Sequence, residues 1–167
     1  MLSTLVRRSA PSAAEARRRA GFTLVELMLV MGAVAVLAAM AIPAYGGYRE
    51  RVRAADAGTD IGALSVMAKS FHAEFGKYPA RLSQAIQDVV ETDPWGASYQ
   101  YLALEDAAPN VKGQARKDKN LVPINSDFDL YSMGADGESQ TPLTAKPSRD
   151  DIVRAADGAY IGLAEDY

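Results

Sequence analysis

Hydrophobic and polar positions divide this chain into three zones with different periods. From Phe22 to Ala44 the apolar residues form an almost unbroken run of 23, in which Thr23 and Glu26 are the only strongly polar members. A helix of that length, rising about 1.5 Å per residue, spans the ~30 Å hydrocarbon core of a bilayer. Further on, Ile61, Leu64, Ala68, Phe71 and Phe75 recur at spacings of three and four. That spacing predicts a resumed helix whose apolar stripe packs on a sheet. Between the two zones Pro43 lacks a backbone donor and Gly46–Gly47 follow, so a weak point or kink is expected there. Gly58 and Gly62 each weaken the second helical stretch. "GKYP" (Gly76–Pro79) ends it, with glycine past the last turn and proline beyond.

The third zone is shorter in period. A second short helix is expected over Leu82–Val90. "DPWGASYQYL" (Asp93–Leu102) then predicts a turn at Pro94–Gly96 feeding a strand over Tyr99–Leu102. "DFDLYSM" (Asp127–Met133) begins by alternating and predicts a second strand, and "AYIGLA" (Ala159–Ala164) a third. Glu105–Asn120 is polar, carries Lys112, Arg116, Lys117 and Lys119, and reads as an exposed loop. The expected fold class is α+β: a long N-terminal helix packed on a small antiparallel sheet.

Charge adds a direction to this picture. The chain has a net charge of −3, but residues 1–20 hold five arginines against Glu15 alone, and the remainder is acidic. A basic flank before an apolar span is the positive-inside pattern, with residues 1–20 cytoplasmic and the rest exported. The acidic remainder argues against nucleic acid as a main partner. No cysteine is present and His72 is the only histidine, which excludes thiol chemistry and any histidine metal centre. No nucleophile elbow, Gly-rich phosphate loop or paired-carboxylate cleft stands out, and no enzyme is expected.

A secretory signal peptide would place its small-residue cleavage site after the apolar stretch. Here the small residue precedes it, as Gly21 between "RRRA" and Phe22. Two readings follow: an uncleaved anchor with an incidental glycine, or cleavage after Gly21 that keeps the helix. Glu26 favours cleavage. A charge in a membrane-length segment costs roughly 2.5–3.5 kcal/mol, while the helix N-terminus returns only about 0.3–1 kcal/mol. Cleavage would free an α-amine at Phe22, one turn from Glu26, and a buried pair with that amine or a neighbour's would offset more.

"G-FTLVEL", followed by an apolar helix with Pro43 near its far end, resembles the N-terminus of type IV pilins and type II secretion pseudopilins. The resemblance implies a prepilin peptidase that cuts between Gly21 and Phe22 and methylates the new amine. It also implies a filament built through this helix, with Glu26 facing the amine of an adjacent subunit. The expected organisation is a cytoplasmic leader over 1–21, a transmembrane and filament-core helix over 22–45, and a periplasmic globular domain over 46–167. The leader is longer than many in the family, so a start codon downstream of Met1 is an expectation as well.

The acidic segments "YSMGADGE" (Tyr131–Glu138) and "SRDDI" (Ser148–Ile152) are the remaining candidates for chemistry. Carboxylates from two loop segments suit a hard cation that takes six to eight oxygens, although the spacing is not that of an EF-hand. Aspartate and glycine are equally common as solvated turn formers, and spacing alone leaves both readings open. Together, "DPWG.SYQYL", "DLYSMGADGE" and "DDI" resemble the body of the major pseudopilin. That resemblance implies a calcium ion held by the side chains of Asp136, Asp150 and Asp151 and the carbonyls of Met133 and Glu138. Two stretches depart from the family by being longer, Gly137–Arg149 and Ala103–Ser126.

The expected function is a structural subunit of a type II secretion pseudopilus. Its implied partners are further copies of itself, minor pseudopilins, an inner-membrane platform and the prepilin peptidase. A subunit of a surface type IV pilus is the alternative within the family. A monomeric membrane-anchored calcium-binding protein is the alternative of another class, and it needs neither Gly21 nor Glu26.

Overall fold

A computed structural model describes residues 21–85, 92–105, 107–119 and 121–167. The chain divides into two units, Met1–Pro43 and Ala44–Tyr167. One helix, α1 (Leu24–Phe75), supplies the described secondary structure of the first unit and the helical layer of the second. It stays helical through Pro43 and Gly46–Gly47, where a weak point was expected. Gly76 closes it with φ +70° and donates its N–H to the carbonyl of His72, as a glycine beyond a C-terminus does.

In the first unit, every side chain from Gly21 onward except Ala38 is exposed, from Phe22 at 79% to Ile42 at 72%. By length and composition this stretch is able to cross a membrane.

In the second unit, α1 lies on a four-stranded antiparallel sheet in the order β1 (Gln100–Ala103), β2 (Phe128–Ser132), β3 (Ile152–Ala155) and β4 (Tyr160–Leu163). The α+β architecture expected from the sequence is therefore present. Successive residues on a strand face opposite ways, and both faces of this sheet are covered. Phe128 and Leu130 of β2 and Ile152 of β3 pack against Ala57, Ile61, Leu64 and Ala68 of α1. Burial of side chains such as Ile61, Leu64 and Phe128 is worth about 1.5–3 kcal/mol each. On the other face Val153 and Ala155 pack with Ile124, Leu143 and Ala164.

Three expectations need correcting. The helical stripe ends at Ala68 in the core, because Phe75 projects beyond the sheet and is 55% exposed, its ring 4.5 Å from that of Phe71. The segment over 105–120 contains the short helix α2 (Pro109–Lys112), and Ala115 and Arg116 are buried. Strand β3 was not expected at all. Of the second helix expected over Leu82–Val90, one 3-10 turn (Leu82–Gln84) is present, and residues 86–90 lie outside the described residues. Ile161 of β4 lies over both Gly58 and Gly62, where a Cβ would make ordinary van der Waals contact with its side chain at 3.7–3.8 Å.

Candidate functional site

At the start of α1, Thr23 occupies the capping position before Leu24. Its hydroxyl accepts a hydrogen bond from the Glu26 N–H (3.2 Å), and the Glu26 carboxylate accepts from the Thr23 N–H (3.2 Å) and hydroxyl (3.2 Å). This reciprocal arrangement is a capping box. "TLVE" spells it in the sequence, yet sequence reasoning treated Glu26 as a bare charge and missed it. The box satisfies two helix N–H groups that otherwise have no partner and fixes the Glu26 carboxylate at the N-terminal end. Gly21 and Phe22 precede the helix and are exposed, with the peptide bond between them in open chain. Replacing Thr23 by alanine is expected to remove about 1 kcal/mol of cap stability. Amide exchange of the first turn in detergent micelles checks this, with faster exchange at Val25 and Glu26 the expected result.

The second candidate is the loop between β2 and β3. Asp93 sits at its entrance. One Asp93 oxygen accepts from the N–H groups of Trp95 (3.1 Å) and Ala97 (2.9 Å), and the other from the Ser132 hydroxyl (2.5 Å). Ser132 Oγ in turn accepts from the Gly134 N–H (3.1 Å). Gly134 has φ +65°, and a Cβ there would lie 2.3 Å from the carbonyl oxygen of Asp150, so the two chain segments touch. Asp150 Oδ2 accepts from the N–H groups of Ala135 (2.9 Å) and Asp136 (3.1 Å), and Asp136 Oδ1 from the Glu138 N–H (2.8 Å). Met133 follows the end of β2 in the same loop.

Asp151 goes elsewhere. The Ala164 N–H donates to its carbonyl (2.9 Å), which extends the β3–β4 pairing one residue, so Asp150 and Asp151 fall on opposite sides of the chain. Asp151 is fully buried, and its Oδ2 accepts from Arg116 Nη2 (2.5 Å) and the Ser139 hydroxyl (2.6 Å). Burial pushes the Asp151 carboxyl above the ordinary carboxylate range, against the pull of Ser139 and Arg116. Burial does the same to Asp129 on the same sheet face, against the donors Arg116 N–H and Asn125 Nδ2. Arg116, buried in a segment that reads as solvated, is the residue sequence reasoning missed.

These residues do not fit the calcium shell that the resemblance implies. Asp136, Asp150, Met133 and Glu138 share one loop, but Asp151 lies on the other face, where its Oδ2 is held by the Arg116 guanidinium and its Oδ1 is buried without a partner. Among the described residues no group of three histidine, aspartate or glutamate side chains is gathered around a common point able to hold a metal. His72 has an ordinary structural setting, stacked on Tyr78 with centroids 4.3 Å apart and Nε2 3.1 Å from Glu105.

Comparison with known proteins agrees with the geometry at the N-terminus. The prokaryotic N-terminal methylation motif matches residues 16–42. The type II secretion system core protein G of Pseudomonas aeruginosa is 29% identical over 143 residues, covering 73% of this chain and 87% of that protein. Core protein G of Aeromonas hydrophila is 28% identical, over 75% of this chain and 89% of its own. The type IV major fimbrial protein FimA of Dichelobacter nodosus is 30% identical over 124 residues, covering 74% of this chain and 73% of its own. No solved structure gives a significant match. With a methylation motif on the apolar helix, and similarity that runs through the sheet domain, the chain belongs to the family of type IV pilins and type II secretion pseudopilins, whose members are structural proteins.

Proposed function

We propose that this protein is a subunit of a type II secretion pseudopilus that polymerises through α1 to drive protein export across the outer membrane. One observation carries the reading: the apolar surface from Phe22 to Ile42 is exposed on all sides of the helix, with Glu26 held at its N-terminal end. Such a helix is stable in a bilayer or in a bundle of similar helices. A single-pass inner-membrane subunit moving into a filament exchanges the first setting for the second. Residues 1–20 stay cytoplasmic, and the globular unit is periplasmic.

Cleavage after Gly21 places the Phe22 amine beside a carboxylate already fixed by Thr23. In the membrane the capping box supplies Glu26 with donors. In the filament a neighbour's amine supplies a full positive charge, which does more to offset the desolvation of the carboxylate. The relatives named core protein G favour secretion as the setting. The similarity to FimA supports a second reading, a surface type IV pilus.

Mass spectrometry of the mature protein is expected to find methylated Phe22 as its first residue. Gly21→Val is expected to leave the precursor, with its arginine leader, in the inner membrane. Glu26→Ala is expected to insert and be cleaved but to yield about tenfold fewer filaments or less, since each 1.4 kcal/mol lost per contact is about a factor of ten. Normal assembly of Glu26→Ala at native expression would refute the ion-pair role. A deletion strain that retains folded exoproteins supports the pseudopilus, and one that loses surface fibres instead supports the pilus.

A further inference from the structure

We propose that Arg116 is the resident cation of the β2–β3 loop, taking the place of a metal ion. Four observations converge on this side chain. Arg116 is 3% exposed, so its charge is neutralised inside the protein or not at all. Its Nη2 donates to Asp151 Oδ2, and its Nη1 to the Ser139 hydroxyl (2.5 Å) and the Gln140 carbonyl (2.7 Å). One guanidinium therefore ties the entry of β3 to the middle of the loop. Its carbon centre lies 4.2 Å from the centroid of the Tyr131 ring, which covers the cation with a π face. Its own N–H donates to Asp129 Oδ2 (2.6 Å), which fixes the backbone that presents it.

The segment after β1 and the loop after β2 build this site together. Lys117 N–H donates to the Thr141 carbonyl (3.1 Å), Leu143 N–H to the Lys117 carbonyl (2.9 Å), and Ile124 N–H to the Arg116 carbonyl (3.0 Å). The segment after β1 is thus stitched to the loop after β2, and Arg116 is the charge delivered at the seam. The remaining loop carboxylate nearest β3, Asp150, is served by backbone N–H groups and needs no cation to hold Gly134–Gly137 in place. A divalent ion at Asp151 would be repelled by a guanidinium already in contact with the same carboxylate. This arrangement is indifferent to which filament the subunit enters.

The test uses the full-length protein in detergent micelles. Its melting temperature is expected to change by less than about 1 °C between chelator and millimolar calcium, because an ion that does not bind the native state adds no stability. A saturable rise of several degrees with calcium would overturn the proposal. For the positive arm, Arg116→Ala is expected to speed trypsin cleavage after Arg149 about tenfold or more, because the loop loses its tie and opens locally. Arg116→Lys, which keeps the charge but not the fork, is expected to fall between the two. Protection of Arg149 equal to wild type in both variants would overturn the proposal. The wild-type calcium measurement stands even if Arg116→Ala does not fold.

Discussion

Replacing Asp127 by alanine is expected to destabilise the globular unit by about 3–5 kcal/mol, the usual consequence of leaving one member of a buried ion pair alone. The stranded partner is Arg154 on β3, which is 1% exposed and faces α1 in the middle of the main core. Its Nη1 donates to Asp127 Oδ1 (2.8 Å) and to the Phe128 carbonyl (2.9 Å), and its Nη2 to Asp127 Oδ2 (2.5 Å). The guanidinium also lies 4.1 Å from the centroid of the Phe128 ring. Without Asp127 the charge keeps only one carbonyl and a π face. Urea unfolding followed by Trp95 fluorescence measures the loss. The double variant Asp127→Leu/Arg154→Met is expected to recover most of it, because a well-packed apolar pair removes the desolvation cost along with the attraction. A single variant as stable as wild type would mean that water reaches Arg154.

Gly134→Ala is expected to be similarly damaging, at about 4 kcal/mol, for a steric reason. The left-handed backbone at φ +65° costs a residue with a Cβ about 1–2 kcal/mol. The larger part is the collision: the new methyl would lie 2.3 Å from the Asp150 carbonyl oxygen and 2.7 Å from Oδ2 of the same residue. Backbone on both sides of the contact leaves nothing flexible to yield. The loop must separate from β3, which breaks the two bonds from Asp150 to Ala135 and Asp136. Gly137→Ala is the matched control. Its φ is +68° and a Cβ there has open space, so only the conformational cost of about 1–2 kcal/mol is expected. Equal effects at the two glycines in thermal melts would show that conformation alone, without the close approach, sets the cost.

What was legible in the sequence was local in origin. The apolar run, the helical spacing through Ile61, Leu64 and Ala68, and the Gly76 stop each depend on residues within a turn or two of one another, and a one-dimensional pattern preserves such relations. Glu26 was legible twice over. Its charge was weighed against the membrane, while the Thr23 cap three residues away went unread, although it is equally local. Strand β3 was hidden for the opposite reason. "IVRA" follows two aspartates and carries an arginine, so it reads as a polar loop unless Asp127, 27 positions earlier, is known to neutralise that charge.

The sequence by itself determined a long helix with an apolar first half, a basic stretch ahead of it and a small sheet after it in the chain. These follow from composition and short-range period, which hydrophobic burial and helix geometry read directly. Only the tertiary structure decided which charges are buried and with whom. A guanidinium in a polar run looks the same whether solvated or enclosed, and the difference for Arg116 is set by Asp151, 35 positions away, and by the Tyr131 ring across the sheet. Adjacent aspartates likewise look like one ligand set, whereas the pleat of the chain entering β3 sends Asp150 to the loop backbone and Asp151 to the arginine. Pairing of buried charge is a long-range property because desolvation is costly wherever the partner lies in the sequence, and only the fold brings that partner within reach.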